Sequence, residues 1–460
     1  MTGILIRQAA LYGEDVRDVR VEGGRIAEIG ESLEARDGER VVEGEGMILL
    51  PGLVDLHVHF REPGFEASET ILTGSQAAAI GGFTTVFPMA NTAPVQDSAG
   101  VVEAVRALGE EVGYCDVRPN GAVTVGLEGE TLAELGAMAE SAARVRVFSD
   151  DGKCVSDPLL MRRALEYVKA FDGVIAQHAQ EPRLTIGAQM NEGSVSAELG
   201  LGGWPWVAET AIIARDVLLA EHVGARLHVC HLSTRASVDV VRWAKSRGVQ
   251  VTAEATPHHL VLTEEQVRGF DARFKVNPPL RTADDVEAVR EGLADGTIDI
   301  VATDHAPHTV DAKDCEWDCA AMGMLGLEAS LRVVHETMVE PGRASWRDVA
   351  RFMSEAPARI GRAEEAGRPI AVGEPADLCL YDPRPRAPFS AEDLRSKSVN
   401  SPYLGMELPG RVMATIFRGE ATVLDGELVD AETVARAARR RREAERDAAE
   451  GLNAEQAGDR

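Results

Sequence analysis

Positive charge and long apolar runs are what this 460-residue chain lacks. Its 48 lysines and arginines face 75 aspartates and glutamates, a net charge of −27. So acidic a surface repels phosphate backbones and argues against nucleic acid as a partner. It does not exclude a small anionic substrate, because local groups override a screened distant field. No apolar run approaches the ~20 residues of a membrane helix. The opening Met1-Thr2-Gly3-Ile4-Leu5-Ile6-Arg7 carries no secretory pattern, so a cytoplasmic protein with no membrane partner is expected. Cysteine is also scarce. The six residues Cys115, Cys154, Cys230, Cys315, Cys319 and Cys379 are scattered and read as free thiols rather than a disulfide framework. Cys315 and Cys319 lie close in sequence, but no further zinc ligands stand near them, and they read as two loop cysteines.

What is present is a large apolar fraction, 45% of the chain, enough for more than one simple domain. Residues 1–50 read as short strands punctuated by turns such as Gly23-Gly24 and Gly44-Glu45-Gly46. From 51 to 364, apolar runs suited to buried parallel strands alternate with Ala-, Glu- and Arg-rich helical stretches. Candidate strands at 53–58, 84–87, 116–119, 145–148, 174–177, 226–230, 249–252 and 298–302 make the set that a (β/α)8 barrel requires. Short strands return from 365 to 430, and the two strand-rich ends are expected to pack together as one small β domain. Residues 431–460 are charged and Ala-rich, expected to form a helix fading into a disordered tail, with Arg439 to Arg442 on a solvated face.

The chemistry is suggested by where polar residues interrupt this pattern. His57 and His59 stand at i and i+2 at the end of an apolar strand, on one face, where two imidazoles can share one metal. Asp150-Asp151, His178, His231 and Asp304 each follow another predicted strand. In a parallel barrel these strand ends form the active-site rim. Histidine and aspartate without thiolate suit zinc, with manganese or cobalt as alternatives.

The chain resembles the dihydroorotases of the amidohydrolase superfamily, in particular the longer bacterial class. The resemblance rests on Asp55-Leu56-His57-Val58-His59-Phe60-Arg61-Glu62-Pro63-Gly64, Pro88-Met89-Ala90-Asn91-Thr92, Glu254-Ala255-Thr256-Pro257-His258-His259-Leu260, Lys275-Val276-Asn277-Pro278-Pro279-Leu280-Arg281 and Ala302-Thr303-Asp304-His305-Ala306-Pro307-His308. It implies a TIM-like metallo-dependent hydrolase barrel that interconverts N-carbamoyl-L-aspartate and L-dihydroorotate in pyrimidine synthesis. It also implies one or two zinc ions per subunit, a homo-oligomer and a complex with aspartate carbamoyltransferase. By the same resemblance His57, His59 and Asp304 hold one zinc and His178 and His231 the other. Asp151 resembles the bridging group, with Asp150 and Lys153 as neighbouring alternatives. Asp304 would carry the proton, taking it from the attacking water and passing it to the leaving nitrogen. Arg61, two residues past His59 on the same strand, would capture the substrate carboxylate. His59, Asn91, Asn277, His308, Met322 and Gly323 resemble further substrate contacts. His258 and His259 belong to the pattern but read as supporting residues, and His305 as a buttress for Asp304. His228 carries no special signal. The segment 309–322 reads either as a loop over the site or as a surface excursion.

Three rival functions share parts of this pattern. Hydantoinases and allantoinases share the barrel and histidines but usually carry a bridging lysine. A non-catalytic subunit of a carbamoyltransferase complex would typically lose metal ligands, which this chain retains. A binding module for a small cyclic ligand would not need hydrolytic metals.

Overall fold

The computed structural model describes residues 3–458. Five strands open the chain: β1 (Ile4–Leu11), β2 (Asp15–Glu22), β3 (Arg25–Gly30), β4 (Arg40–Glu43) and β5 (Ile48–Pro51). Eight parallel strands follow, β6 (Leu53–Val58), β7 (Phe83–Pro88), β8 (Asp116–Val117), β9 (Val147–Phe148), β10 (Val174–Gln177) and, after a small side ladder of β11 (Met190–Asn191) with β12 (Gly203–Trp204), β13 (Leu227–Val229), β14 (Val251–Ala255) and β15 (Ile300–Val301). The last four are β16 (Leu378–Pro388), β17 (Glu407–Phe417), β18 (Glu420–Leu424) and β19 (Glu427–Leu428).

The alternating pattern closes into the barrel expected from the sequence. β6–β7–β8 form one parallel run and β9–β10–β13–β14–β15 another. Single parallel bridges, Gly121 with Phe148 and Val58 with His305, join the two runs at both seams. β6 is buried along its whole length, as a strand covered on both faces must be. The barrel is clad by helices such as Val207–Val223 and Arg235–Ser246, the latter started by Thr234, whose hydroxyl accepts from the Ser237 N–H.

The chain ends share one sheet in the order β19-β18-β17-β16-β5-β1-β2-β3, with β4 on β1. On its N-terminal side it passes into the barrel through a single residue, Gly52, between β5 and β6. The Gly52 N–H donates to the Asp377 carbonyl at 2.7 Å, and its own carbonyl accepts from the Ser354 hydroxyl at 2.7 Å. A Cβ here would fall 2.3 Å from Thr84 Oγ1, so only glycine permits this approach. Helix Ala431–Gly458 seats Val434 against Tyr114 and Val423 and leaves Arg439 and Arg440 exposed. Among the described residues no helix is long and apolar enough to cross a membrane.

Candidate active site

The seams that close the barrel also position the polar cluster. Across the β15–β6 seam, the Asp304 N–H donates to the His57 carbonyl (3.0 Å) and the His59 N–H to the His305 carbonyl (2.8 Å). Asp55, one strand position before Leu56, accepts from the N–H groups of His57 and Thr303, tying both sides of the seam together. Three residues around the rim, Arg61, His231 and Asp304, hold left-handed backbones with φ of 63°, 30° and 48°. Such conformations cost non-glycine residues roughly 1–3 kcal/mol each and concentrate at functional sites.

Four imidazoles and two carboxylates converge here, none more than 4% exposed. Asp151 is central. Its Oδ1 lies 3.0 Å from His178 Nδ1, 3.2 Å from His231 Nε2 and 3.5 Å from His57 Nε2, while its Oδ2 lies 3.4 Å from His59 Nε2. Asp304 Oδ1 sits 3.1 Å from His59 Nε2 and 3.5 Å from His57 Nε2. Donor atoms of His57, His59 and Asp151 fall within 4.8 Å of one another, and so do those of Asp151, His178 and His231. Asp151 therefore belongs to both trios. His57 Nε2 is buried without a hydrogen-bond partner between the two carboxylates. An orphaned nitrogen in such a place is costly unless something else binds it. The donor set fits a metal ion on this ground, and its residue types suit zinc.

The electrostatics of the cluster agree. Burial opposes charge on the His57 ring, but Asp151, Glu254 and Asp304 hold its pKa well above the usual value. Burial likewise opposes ionisation of Asp304, yet His57 and His59 hold it down to about 2. In Asp151 burial is again outweighed, by His57 and His178, and the carboxyl sits well below its usual range. The carboxylates are thus ready to ligate a cation.

Other expected residues surround this group. Asn91 accepts from His59 Nδ1–H at 3.0 Å. Arg61 donates from Nε to the Pro307 carbonyl at 3.1 Å, and burial lowers it to about 10. It does not lie on the strand, which ends at Val58; the chain turns at Phe60, whose carbonyl accepts the Glu62 N–H, and Arg61 stands in a loop. Asn277 donates to Gln180 Oε1 at 3.0 Å and keeps a buried Oδ1 without a partner. His308 Nε2–H donates to the Met322 carbonyl at 2.9 Å. Gly323 has φ of 150°, and a Cβ there would fall 2.6 Å from His308 Nε2.

Of the three neighbours proposed as a bridge, only Asp151 enters the cluster. Asp150 turns away to accept from the N–H groups of Val123 and Thr124, and Lys153 is exposed. His259 is held by Thr256 Oγ1 and the Pro279 carbonyl. The His305 ring does not touch Asp304; it faces Glu69 Oε2 at 3.3 Å and supports the site through its main chain. Segment 309–322 is folded, with a short helix Val310–Lys313 and Trp317 buried against Met190 and Val267.

Three residues escape the sequence reading. Glu254 accepts from His57 Nδ1–H (2.6 Å), from His228 Nε2–H (2.9 Å) and from the His231 N–H (3.0 Å), which also gives His228 a role. Gln180 accepts from His178 Nε2–H at 2.8 Å and from Asn277. Asn400, from the C-terminal part of the chain, accepts from the His308 N–H and donates to the Ala306 and Gly323 carbonyls. Glu254 sits in one of the family segments; Gln180 and Asn400 carry no signal in the sequence.

The profile of a family described as "Dihydro-orotase-like" matches residues 46–237. A protein of Leifsonia xyli named dihydroorotase is 69% identical over 93% of this chain and 97% of its own length. Another, from Mycobacterium tuberculosis, is 54% identical over 92% and 99%. Among solved structures, the L-hydantoinase (dihydropyrimidinase) of Arthrobacter aurescens superposes with a TM-score of 0.82 at 25% identity, covering 94% of this chain and 98% of that one. The D-hydantoinase of a Thermus species gives 0.79 at 26% identity, over 93% and 96%.

Proposed function

The chain belongs to the dihydroorotase family, and from that premise we propose that it closes N-carbamoyl-L-aspartate to L-dihydroorotate and water, reversibly and with zinc, in pyrimidine synthesis. The observation that carries the site assignment is the buried, unpartnered His57 Nε2 between Asp151 and Asp304. His57, His59 and Asp304 would hold one ion, His178 and His231 a second, with Asp151, which lies in both trios, shared between them. Bound zinc would polarise the ring amide and acidify the attacking water.

The chain's own groups do the rest. Arg61 keeps two guanidinium nitrogens free of protein acceptors among the described residues and presents them to the substrate carboxylate. Asn91, fixed through His59, offers its amide N–H beside it. Asn277, His308 and the Met322–Gly323 backbone would contact the pyrimidine ring. In the opening direction Asp304 accepts a proton from water as its oxygen bonds to the amide carbon. It then delivers that proton to the ring nitrogen as the C–N bond breaks; closure runs the same transfers backwards. A cytoplasmic location and a homo-oligomer, with aspartate carbamoyltransferase as a partner, complete the proposal and rest on family resemblance.

The barrel's likeness to hydantoinases supplies the rival substrate class. Zinc-loaded protein should open L-dihydroorotate in preference to hydantoin and allantoin. Asp304→Asn should lose at least about 1,000-fold in kcat, a loss typical of removing an obligatory proton carrier together with its charge. Preferential turnover of hydantoin or allantoin, or an active Asp304→Asn variant, would overturn the corresponding part of this reading.

A further inference from the structure

Two buried lysines tie the segment carrying Met322 and Gly323 to the one carrying Asn277. Lys275 is 2% exposed and Lys313 9%. The Lys275 ammonium donates to the carbonyls of Trp317 (2.5 Å) and Asp318 (3.2 Å). Lys313 donates the opposite way, to the carbonyls of Ala272 (2.9 Å) and Lys275 (3.0 Å). The Gly323 N–H completes the clasp by donating to the same Lys275 carbonyl at 2.9 Å.

Neither lysine has a carboxylate within 4.0 Å among the described residues; the ammonium hydrogens are met by carbonyls, and Lys275 Nζ also lies 5.8 Å from the centre of the Trp317 ring. A buried ammonium without a counter-ion is expensive unless its hydrogens are placed. Burial and the proximity of Lys275 lower the Lys313 pKa to about 7, against the weaker pull of Asp271 and Cys315. Even as a neutral amine Lys313 would keep two hydrogens for its two carbonyls. The clasp leads directly to the site, because the Met322 carbonyl accepts from His308 Nε2–H and a side chain at 323 would collide with the same ring.

We propose that Lys275 and Lys313 are positioning residues that hold the 309–323 segment over the substrate and so set substrate affinity, not the proton transfer. The inference rests on the dihydroorotase reading of the site. Lys313→Met and Lys275→Met keep length but remove the donors. In zinc-loaded protein each should raise KM for dihydroorotate about 10-fold while kcat changes by less than about 3-fold, the signature of lost binding rather than lost chemistry. Lys313→Gln, which still donates two hydrogens, should recover part of the KM. Amide exchange gives a readout independent of turnover. In the wild-type protein without substrate, residues 310–323 should be protected, and in Lys313→Met that protection should fall while the barrel strands stay protected. An unchanged KM in a folded variant overturns the proposal, as does free exchange of 310–323 in the wild type. Should the variants not fold, the wild-type exchange decides. Wild-type protein inactive on dihydroorotate would sink the functional reading, while the exchange result would still judge the clasp.

Discussion

Glu254 shows what a single residue contributes when three donors point at it. It is fully buried, and burial alone would raise its pKa, yet His57 and His228 hold it well below the ordinary carboxylate value. It fixes His57 through Nδ1 and leaves Nε2 facing the two aspartates. Glutamine would preserve the shape but turn an N–H2 toward one of the three donors. Glu254→Gln should therefore weaken metal affinity by about 10- to 100-fold, as for other groups that orient a ligand histidine. Competition with a chromogenic chelator would measure it, and unchanged affinity would remove Glu254 from the supporting role. His57 and His59 were legible in the sequence because two polar residues at i and i+2 stand out at the end of an apolar strand. Glu254 carries no signal for this role, because its partners come from β6, nearly 200 residues away, and from β13 and the residues just after it, over 20 away. Gln180 and Asn400 lie in loops, where no periodicity marks a side chain's direction.

At the scale of elements, barrel and sheet meet where β5 passes into β6, and Asp377 sits at that junction. Its carbonyl accepts the Gly52 N–H, and its carboxylate accepts the Arg418 N–H at 2.6 Å. Burial pushes this carboxyl up to about 6. A raised carboxyl pKa means that the folded state holds a proton which the unfolded chain releases. Between about pH 4 and 6 stability then falls as pH rises, and above 6 the full penalty is present, at most about 3 kcal/mol. Asp377→Asn keeps an acceptor for Arg418 and removes the charge. It should melt higher than wild type at pH 8, with a margin that shrinks by about half at pH 5. An equal margin at both pH values would show that this carboxyl does not titrate as argued. The barrel strands were readable from apolar runs, though the ends of some shifted for local reasons. Val249, read as strand, donates its N–H to Ala244 in the turn closing the preceding helix, so β14 starts only at Val251. Val145 similarly donates to Met138, leaving β9 only two residues.

For the whole molecule, the excess of acid and the buried cluster of histidines and aspartates bear on each other. A chain of net charge −27 places Asp151, Asp304, Glu254 and Asp55 within one small region of its core, all but inaccessible to solvent. Burial opposes charge on the His57 ring, yet Asp151, Glu254 and Asp304 raise its pKa, so this acid-rich pocket favours positive charge at its centre. The barrel architecture was legible because eight apolar runs recur between helical stretches, and so was the meeting of the two chain ends in one sheet. The seam contacts were not, since bridges such as Val58 with His305 join residues nearly 250 apart and depend on closure itself. Those seams carry His57, His59 and Asp304, so a metal held by them would link the first barrel strand to the last. An ion that binds only the folded state stabilises it by RT ln(1 + [M]/Kd), about 4 kcal/mol at 1,000 Kd. Exhaustive chelation should thus lower Tm by several degrees and abolish dihydroorotate turnover, and zinc should restore both. Loss of turnover with Tm unchanged would place the ion away from the seam. Retention of both in demonstrably metal-free protein would mean that the six converging side chains hold no functional ion.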